Sequence, residues 1–395
     1  MKQADVVIVG GGMVGSLLAL NLARRLCCSI VMIEAQSIDP SQGSMSELSF
    51  DGRSTALSRT TSLHLQQLGL WPEVLHHAAP ITSIHVSQRG GWGRFRLDAG
   101  EEQVDAFGFV IENAGFGSVL SRAVAACPEI EVWAPCQVEQ VEVQAGTTLL
   151  HVPGRMSIQT GLMVAADGAF SRLRTALGIA VEQHDYGQKA IVCNVRLSHA
   201  REGLALERFV GEEILAVLPR VDGSRALIWT APTKQADALM RMNPTQFGRE
   251  LQLRLGPALG RVYDHTKPVA YSLERIIATQ QVQPGRVILG NAAHFLHPVA
   301  GQGFNLCVRD VLALVNVVEE QARLGKPLGE LAALEGYVAG RRRDQQIITS
   351  FSDTLVRFFT WNQPGLMHLR SVGLAGLDII PGSKKILARM TMGAV

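Results

Sequence analysis

The stretch DVVIVGGGMVGSLLALNLARRLCCSIVMIE, residues 5–34, decides the architecture of this chain. Asp5–Val9 is apolar at consecutive positions, as a parallel strand buried on both faces must be. The cluster Gly10–Gly11–Gly12–Met13–Val14–Gly15 fits the spacing GxGxxG. An amphipathic helix from about Val14 to Leu26 follows, and Ser29–Glu34 reads as the next strand. The whole is a βαβ unit. In such a unit Gly10 permits the tight turn, Gly12 lets backbone approach a pyrophosphate, and Gly15 lets helix pack on strand. The helix N-terminus adds N–H groups and partial positive charge for the phosphates. Glu34, ending the second strand, can accept hydrogen bonds from an adenosine ribose. Its charge would repel a 2′-phosphate, so the site suits FAD or NAD and not NADP. A secretory signal peptide would need a different layout. Asp5 precedes the apolar stretch, and the glycines and Arg24–Arg25 interrupt it.

Working outward, composition narrows the classes. The chain has 395 residues, enough for two packed domains. Mean hydropathy is +0.15, yet no run of about 18 apolar residues predicts a spanning helix. Net charge is +2 with scattered basic residues, which leaves no nucleic-acid footprint. The six cysteines lack metal-binding or disulfide spacing, so reduced thiols in a cytosolic protein and no metal site are expected.

Beyond the opening unit, Asp39–Ser49 reads as a mobile polar loop, Ser58–Gly69 as a helix, and Ile81–Ile111 as β-like. A helix is expected at about Gly117–Ala126, then short strands to Ala165. The span 182–275 is strand-rich with one helix near Pro244–Leu255, and the chain is helical from about Gly303. These elements predict an α/β fold in three parts. Residues 1–75, 112–180 and 276–335 form a discontinuous Rossmann-like FAD-binding domain. Residues 76–111 and 181–275 form a β-rich substrate domain, and 336–395 form a helical C-terminus.

Three further motifs carry chemistry. In Asp51–Gly52–Arg53–Ser54–Thr55–Ala56–Leu57–Ser58, Arg53 offers fixed donors to phosphates or a flavin edge. In Ala165–Ala166–Asp167–Gly168–Ala169–Phe170–Ser171–Arg172, an Asp–Gly turn follows an apolar strand. Leu289–Gly290–Asn291–Ala292–Ala293–His294 leads to His297–Pro298 and Gly301–Gln302–Gly303–Phe304–Asn305. There small residues let backbone pass a flat ring, and helix N–H groups can stabilise a reduced flavin.

GGGMVG, AADGAFSRLR and LGNAAHFLHPVAGQGFN, in that order over nearly the whole chain, resemble the three-part signature of the p-hydroxybenzoate-hydroxylase-like FAD monooxygenases. FDGRSTALS, IENAGFGSVL and HPVAGQGFNL narrow the resemblance to the ubiquinone-biosynthesis hydroxylases. Asn291 stands where the broader family has an Asp contacting the flavin ribitol, which keeps a hydrogen-bonding side chain but removes a charge.

The resemblance implies tightly bound FAD, a transient NADH or NADPH donor, and O2 as co-substrate. Reduced flavin then activates O2 for transfer to an electron-rich phenol. By position, Gly10, Gly12, Gly15 and Glu34 would hold the ADP half. Arg53 would lie near the flavin or its phosphates. Asp167 and Gly168 would serve the pyrophosphate and the nicotinamide donor, and Asn291 the ribitol. Pro298, Gly301, Gln302, Gly303 and Asn305 would line the isoalloxazine. Asn113 is a further FAD candidate, and His294 and His297 are candidates for proton transfer.

The implied substrate is a polyprenylated phenol, 2-octaprenyl-6-methoxyphenol, oxidised to the benzoquinol. Alternatives are hydroxylation at another ring position, an FAD-dependent prenyl reductase, or a flavin-bearing scaffold subunit. Other ubiquinone-biosynthesis proteins are implied partners. The apolar, basic C-terminus (Arg357, Arg370, Lys384, Lys385 and Arg389) either lies on a membrane surface or packs on the core or a partner subunit. The expected location is cytoplasmic, peripheral at the inner face of the cytoplasmic membrane.

Overall fold

The strand Lys2–Val9 runs at the centre of a mixed sheet, flanked on one side by Ile30–Ile33 and on the other by Ile158–Ala165, both parallel to it. In a computed structural model that describes residues 1–39, 44–45, 53–144, 146–199, 201–297, 301–360, 373, 376–378 and 382–393, this sheet has eight strands among the described residues. Ile130–Trp133 extends it beyond Ile30–Ile33, and Arg286–Ile288 runs parallel to the C-terminal half of Ile158–Ala165. Ile158–Ala165 is therefore central twice over, and its last four residues are all buried. The helices Met13–Arg25 and Gln302–Arg323 cover one face. Leu18, Leu22, Val311, Leu314 and Val318 meet Val6, Ile8, Leu162 and Val164 there.

A second sheet has nine strands among the described residues. Its spine is Val269–Ala278, Val181–Leu197, Arg225–Pro232, Glu213–Pro219, Leu204–Val210, Ser83–Gln88 and Arg94–Asp98. One face packs on the helices Thr233–Met240 and Pro244–Leu255 through Trp229, Phe247, Leu251 and Leu215. The other face looks toward the first sheet. Between them, Ser54–Ser58, Gly108–Glu112 and Ala78–Ile81 form a small three-stranded sheet. The helix Leu331–Thr360 and the helix Ser383–Thr391 close over the far end, where Val356 and Ala388 are buried against Phe95, Phe107 and Phe209.

Two elements differ from the sequence reading. The helix expected at about Gly117 begins at Asn113, because the Asn113 amide donates to the Arg53 carbonyl (3.0 Å) and turns the chain there. The helix Thr233–Met240 was not expected. It follows directly on a strand, and only the extended Pro232 marks the boundary. Much of the Asp39–Ser49 loop, Asp51–Gly52, Pro298 and most of 361–381 lie outside the described residues.

The helix Met13–Arg25 reaches the sheet only because position 15 has no side chain. A Cβ there would stand 1.9 Å from the Gly10 carbonyl oxygen, a backbone atom that cannot swing aside. Gly15→Ala is expected to lose about 1–3 kcal/mol or more of stability through overpacking, as measured by chemical denaturation.

Candidate active site

The four motifs touch one another. Gly10 has φ +106°, and a Cβ on it would lie 2.3 Å from the Ala166 carbonyl oxygen, so the first and third motifs share one tight seam. Arg174 Nη1 donates to the Ala292 carbonyl (2.7 Å), joining the third motif to the fourth. Gly301 has φ +60°, and a Cβ there would lie 2.9 Å from that of Ala56, joining the fourth to the second. Asn305 locks the same contact. Its Oδ1 accepts from Ser58 N (2.8 Å) and Thr61 Oγ1 (2.9 Å), while its Nδ2 donates to the carbonyls of Ala56 (2.9 Å) and Gly301 (3.0 Å).

These seams enclose one end of a cavity of about 1030 Å³, lined by Gly10, Gly12, Glu34, Arg53, Asn113, Asp167, Gly168, Asn291, Gly301, Gln302, Gly303 and Asn305. Gly15 stands behind it in the helix, and Pro298 is outside the described residues. Glu34 is buried and oriented: Gly11 N donates to Oε2 (2.7 Å) and Gln36 N to Oε1 (2.9 Å). Each oxygen keeps acceptor capacity for ribose hydroxyls. Asn113 Oδ1 accepts from Thr55 Oγ1 (2.7 Å). The Arg53 guanidinium stacks on the Tyr271 ring at 4.9 Å, reaching from the start of the three-stranded sheet to the second sheet.

The cavity fits a dinucleotide carrying a flat ring. A Cβ on Gly12 or on Gly303 would meet nothing within 4 Å, so both positions face open space beside a helix N-terminus. Asp167 accepts from Leu173 N (3.3 Å) with Oδ2, but its buried Oδ1 has no partner among the described residues. The buried Oε1 of Gln302 has none either. Orphaned acceptors on a cavity wall are costly unless a ligand's donors meet them. Hydroxyls of a ribityl chain and ring N–H groups are donors of that kind.

The two histidines of the fourth motif part company. His294 lies outside the cavity lining and donates from Nε2 to Asp310 Oδ2 (2.5 Å), both groups being deeply buried. Arg341 Nε donates to the other Asp310 oxygen (2.6 Å). Burial opposes the charge on His294, but the bond to Asp310 overcomes it and raises the pKa to about 10. Burial likewise pushes Asp310 up, and the bonds from His294 and Arg341 outweigh it, leaving its carboxyl below the ordinary value. The pair anchors the loop strand His294–Phe295 to the helix Gln302–Arg323. His297 does line the cavity. Burial lowers its pKa to about 4 despite Asp353, so it is neutral at pH 7. Its ring sits edge-on to Tyr186 (5.1 Å), whose hydroxyl donates to Asp353 Oδ1 (3.0 Å).

The far end of the cavity is apolar. Ile84, Val86, Phe95, Leu97, Ala216 and Ile228 line it from the second sheet, and Ile348, Phe351 and Leu387 from the C-terminal helices. One carboxylate, Glu207, stands among them, and burial raises its pKa to about 7. Glu207, Tyr186, Tyr271 and Arg220 were not singled out by the motifs. Arg220, just past the second-sheet strand Glu213–Pro219, pairs with Glu112 of the three-stranded sheet (2.7 Å). Strand periodicity could have found Glu207, since in LALERFV it is in phase with Ala205 and Phe209 rather than with the back-facing Leu204 and Leu206.

Gly12→Glu is expected to fold, because no protein atom blocks the position, yet to lose bound flavin to repulsion of the pyrophosphate. Absorbance near 450 nm per protein, with an unchanged circular-dichroism melt, checks this. The raised pKa of His294 gives stability that is complete below 6.5 and lost as pH rises through about 10. The depressed pKa of Asp310 gives stability present above 3.8 and lost as pH falls through its folded value. Asp310→Asn removes both and should cost about 3–5 kcal/mol at neutral pH. Denaturant midpoints across pH 3 to 11 would then show a flatter profile than the parent's.

A family model described as FAD binding domain matches residues 3–346. The chain is 30% identical to ubiquinone hydroxylase UbiL of Rhodospirillum rubrum over all of this chain and 90% of that one. It is 30% identical to 3-demethoxyubiquinol 3-hydroxylase of Escherichia coli over 95% of each. It is also 26% identical to the human ubiquinone biosynthesis monooxygenase COQ6 over 97% of this chain and 92% of that one. Among solved structures, p-nitrophenol 4-monooxygenase PnpA of Pseudomonas putida superposes with a TM-score of 0.79 at 18% identity, covering 98% of this chain and 97% of that one. That likeness speaks to fold alone, the p-hydroxybenzoate-hydroxylase-like α/β fold. With the motifs converging on one cofactor-shaped crevice, the chain is an FAD-dependent monooxygenase and belongs to the family of FAD-dependent ubiquinone-biosynthesis hydroxylases.

Proposed function

We propose that the chain hydroxylates a polyprenylated phenol in ubiquinone biosynthesis, with O2 and NADH or NADPH, taking 2-octaprenyl-6-methoxyphenol to the corresponding benzoquinol. The observation that carries this reading is that the dinucleotide crevice and the apolar chamber are one continuous cavity. A polar cofactor and a greasy aromatic guest can therefore meet without crossing water. Hydroxylation at another ring position is the second reading, favoured by the equal identity to the Escherichia coli 3-hydroxylase.

Bound FAD would supply the redox chemistry, passing electrons from the nicotinamide to O2. In this reading Glu34 receives the adenosine ribose and the Gly10–Gly15 turn the pyrophosphate. Asn291 meets the ribityl hydroxyls, and so does Asp167, in place of the pyrophosphate the resemblance assigned it. Its unpaired acceptor oxygen suits a hydroxyl donor and its charge would repel phosphate; Gly168 leaves them room. Arg53, held by Tyr271, places a fixed positive charge at the mouth between the domains. Gly301, Gln302, Gly303, Asn305 and, in sequence, Pro298 flank the ring. The aliphatic walls exclude water from the reacting face, which limits wasteful decay of activated oxygen. His297 stays neutral and adds no competing charge beside the phenol.

No helix among the described residues is long and apolar enough to cross a membrane. A prenylated substrate then has to be met at a bilayer surface or handed over by another protein of the pathway. The helix Ser383–Thr391, with Lys385 and Ile386 exposed, suits such a surface at the cytoplasmic side.

Deleting the gene and profiling lipid extracts by mass spectrometry tests the reading. The expected result is accumulation of 2-octaprenyl-6-methoxyphenol, relieved by the parent gene but not by a Gly303→Asp copy. A precursor lacking a different ring oxygen would move the assignment to that position, and unchanged ubiquinone would reject the pathway.

A further inference from the structure

The cavity-facing side of the second sheet can be read row by row. Strand register places Val192, Ile228, Ala216, Glu207, Val86 and Phe95 side by side across six strands. All six line the cavity, and Glu207 alone among them is polar. The row on one side, Tyr271, Ala190, Thr230, Ile214 and Phe209, holds no carboxylate, and its one ionisable group, Tyr271, stands four strands from Glu207 beneath the Arg53 guanidinium. The row on the other side, Ala226, Leu218, Ala205 and Ile84, has no ionisable group. A carboxylate in the middle of an aliphatic wall is costly, and it has no packing reason to be there.

No hydrogen bond or ion pair from another described residue meets the Glu207 carboxylate. Its neighbouring strands turn their own charges away. Glu213 faces the opposite side, where Trp229 Nε1 (2.8 Å) and Arg254 Nε (2.6 Å) donate to it, and Arg208 bonds the Arg254 carbonyl on that side. His85 is in register with back-facing Leu206. From the helices that close the chamber, Asp353 is held by Tyr186, and Lys385 and Arg389 are exposed. The other ionisable groups on the cavity wall are Glu34, Arg53, Cys136, Asp167, Arg172, His297 and Cys307, all outside the second sheet, and Tyr271, which is on that sheet four strands from Glu207 with the Arg53 guanidinium over its ring. An acceptor without a donor thus faces the chamber into which an aromatic guest would enter.

We propose that Glu207 is the group that receives the substrate's phenolic hydroxyl, accepting its hydrogen bond and then its proton. This rests on the phenol-hydroxylase reading above. In the step, the phenol O–H bond breaks and the proton moves to a Glu207 carboxylate oxygen. The freed electron pair raises electron density on the ring positions ortho and para to the oxygen, where electrophilic oxygen from the monooxygenase reaction attacks. The ring carbon then loses its hydrogen as a proton, and the proton on Glu207 returns to the phenolic oxygen as aromaticity is restored. A carboxyl pushed up to about 7 is better matched to this task than an ordinary glutamate, because its basicity lies nearer that of a phenol. The hydroxyl contact also sets orientation: it holds one end of the ring against the sheet and leaves the opposite edge to face the crevice.

The test uses the FAD-loaded protein and two soluble probes, 2-methoxy-6-(3-methylbut-2-enyl)phenol and its O-methyl ether, with binding read from the perturbed flavin spectrum at pH 6 and pH 8. The parent is expected to prefer the phenol by about tenfold or more at pH 8, as a hydrogen bond to a charged buried acceptor predicts, and by less at pH 6. Glu207→Gln should bind both probes with no pH dependence and hydroxylate the phenol slowly. Glu207→Leu should bind the ether at least as well as the parent does and lose the preference. If both variants keep the parent's preference and pH profile, another group reads the hydroxyl and the proposal is overturned. If the parent binds neither probe, the chamber is not a phenol site, and the functional reading fails with it. Should Glu207→Leu lose its flavin, the isosteric Glu207→Gln decides on the pH profile alone.

Discussion

Two backbone segments far apart in sequence share a space too small for a methyl group: the turn at Gly10 and the carbonyl of Ala166. That approach sets the rest of the site. It fixes where the strand Ile158–Ala165 must end, and hence where Asp167 enters the crevice. The same strand carries Arg286–Ile288 beside its C-terminal half, so the loop beginning at Gly290 emerges next to the glycine turn. Arg174 then ties that loop to the third motif, and Asn305 ties the following helix to Ala56 and Ser58. The contacts are backbone packing and buried hydrogen bonds, interactions that permit little slack. A cofactor lying on these segments meets a surface already assembled.

The second sheet is joined to this platform by the backbone pairing of His294–Phe295 with Ile276–Ile277 and by links of a different kind. Arg53 on Tyr271 and Arg220 on Glu112 cross the boundary, both involving guanidinium groups whose planar geometry specifies direction as well as distance. Glu112 immediately precedes the helix carrying Asn113, and Asn113 returns a bond to Thr55. The boundary is therefore polar where it meets the crevice. It is apolar where Ile81 and Val110 pack on Ala205 and Leu218, and farther out where the C-terminal helices cover Phe95, Phe107 and Phe209.

Much of the platform could be read from the sequence, because glycine spacing and buried-strand patterns report local backbone demands. Gly10, Gly12 and Glu34 are recognisable without knowing what lies opposite them. The later motifs gained meaning only through order and resemblance, since an Asp–Gly turn such as Asp167–Gly168 is common on its own. The two histidines show the limit. His294 and His297 stand close together in one motif, yet one faces Asp310 in the interior and the other the cavity. No local pattern separates them, because the separation is made by Asp310 on the next helix, Gln302–Arg323, and by Arg341 and Asp353 on Leu331–Thr360 beyond it. The start of the helix at Asn113 is hidden from local sequence for a similar reason: the Asn113 amide that turns the chain donates to the carbonyl of Arg53, far earlier in the sequence.

Glu207 belongs to a third category, legible in the alternation of its strand but carried by no motif. A strand reading LALERFV looks like an ordinary edge element whose charged pair faces water. Alternation along the strand already parts the two charges, and the register between Leu204–Val210 and its neighbours shows which way each goes, Arg208 toward the helices at the back and Glu207 into the chamber. Stability gives no reason for the arrangement, since a leucine there would complete the wall and remove a desolvation cost. A residue that opposes the packing logic of its own row, in a cavity open to the cofactor crevice, is better explained by what occupies the cavity than by the fold that surrounds it. The chamber is greasy enough for a prenyl chain along its length, and at one point it offers the acceptor that a bare hydrocarbon would not need.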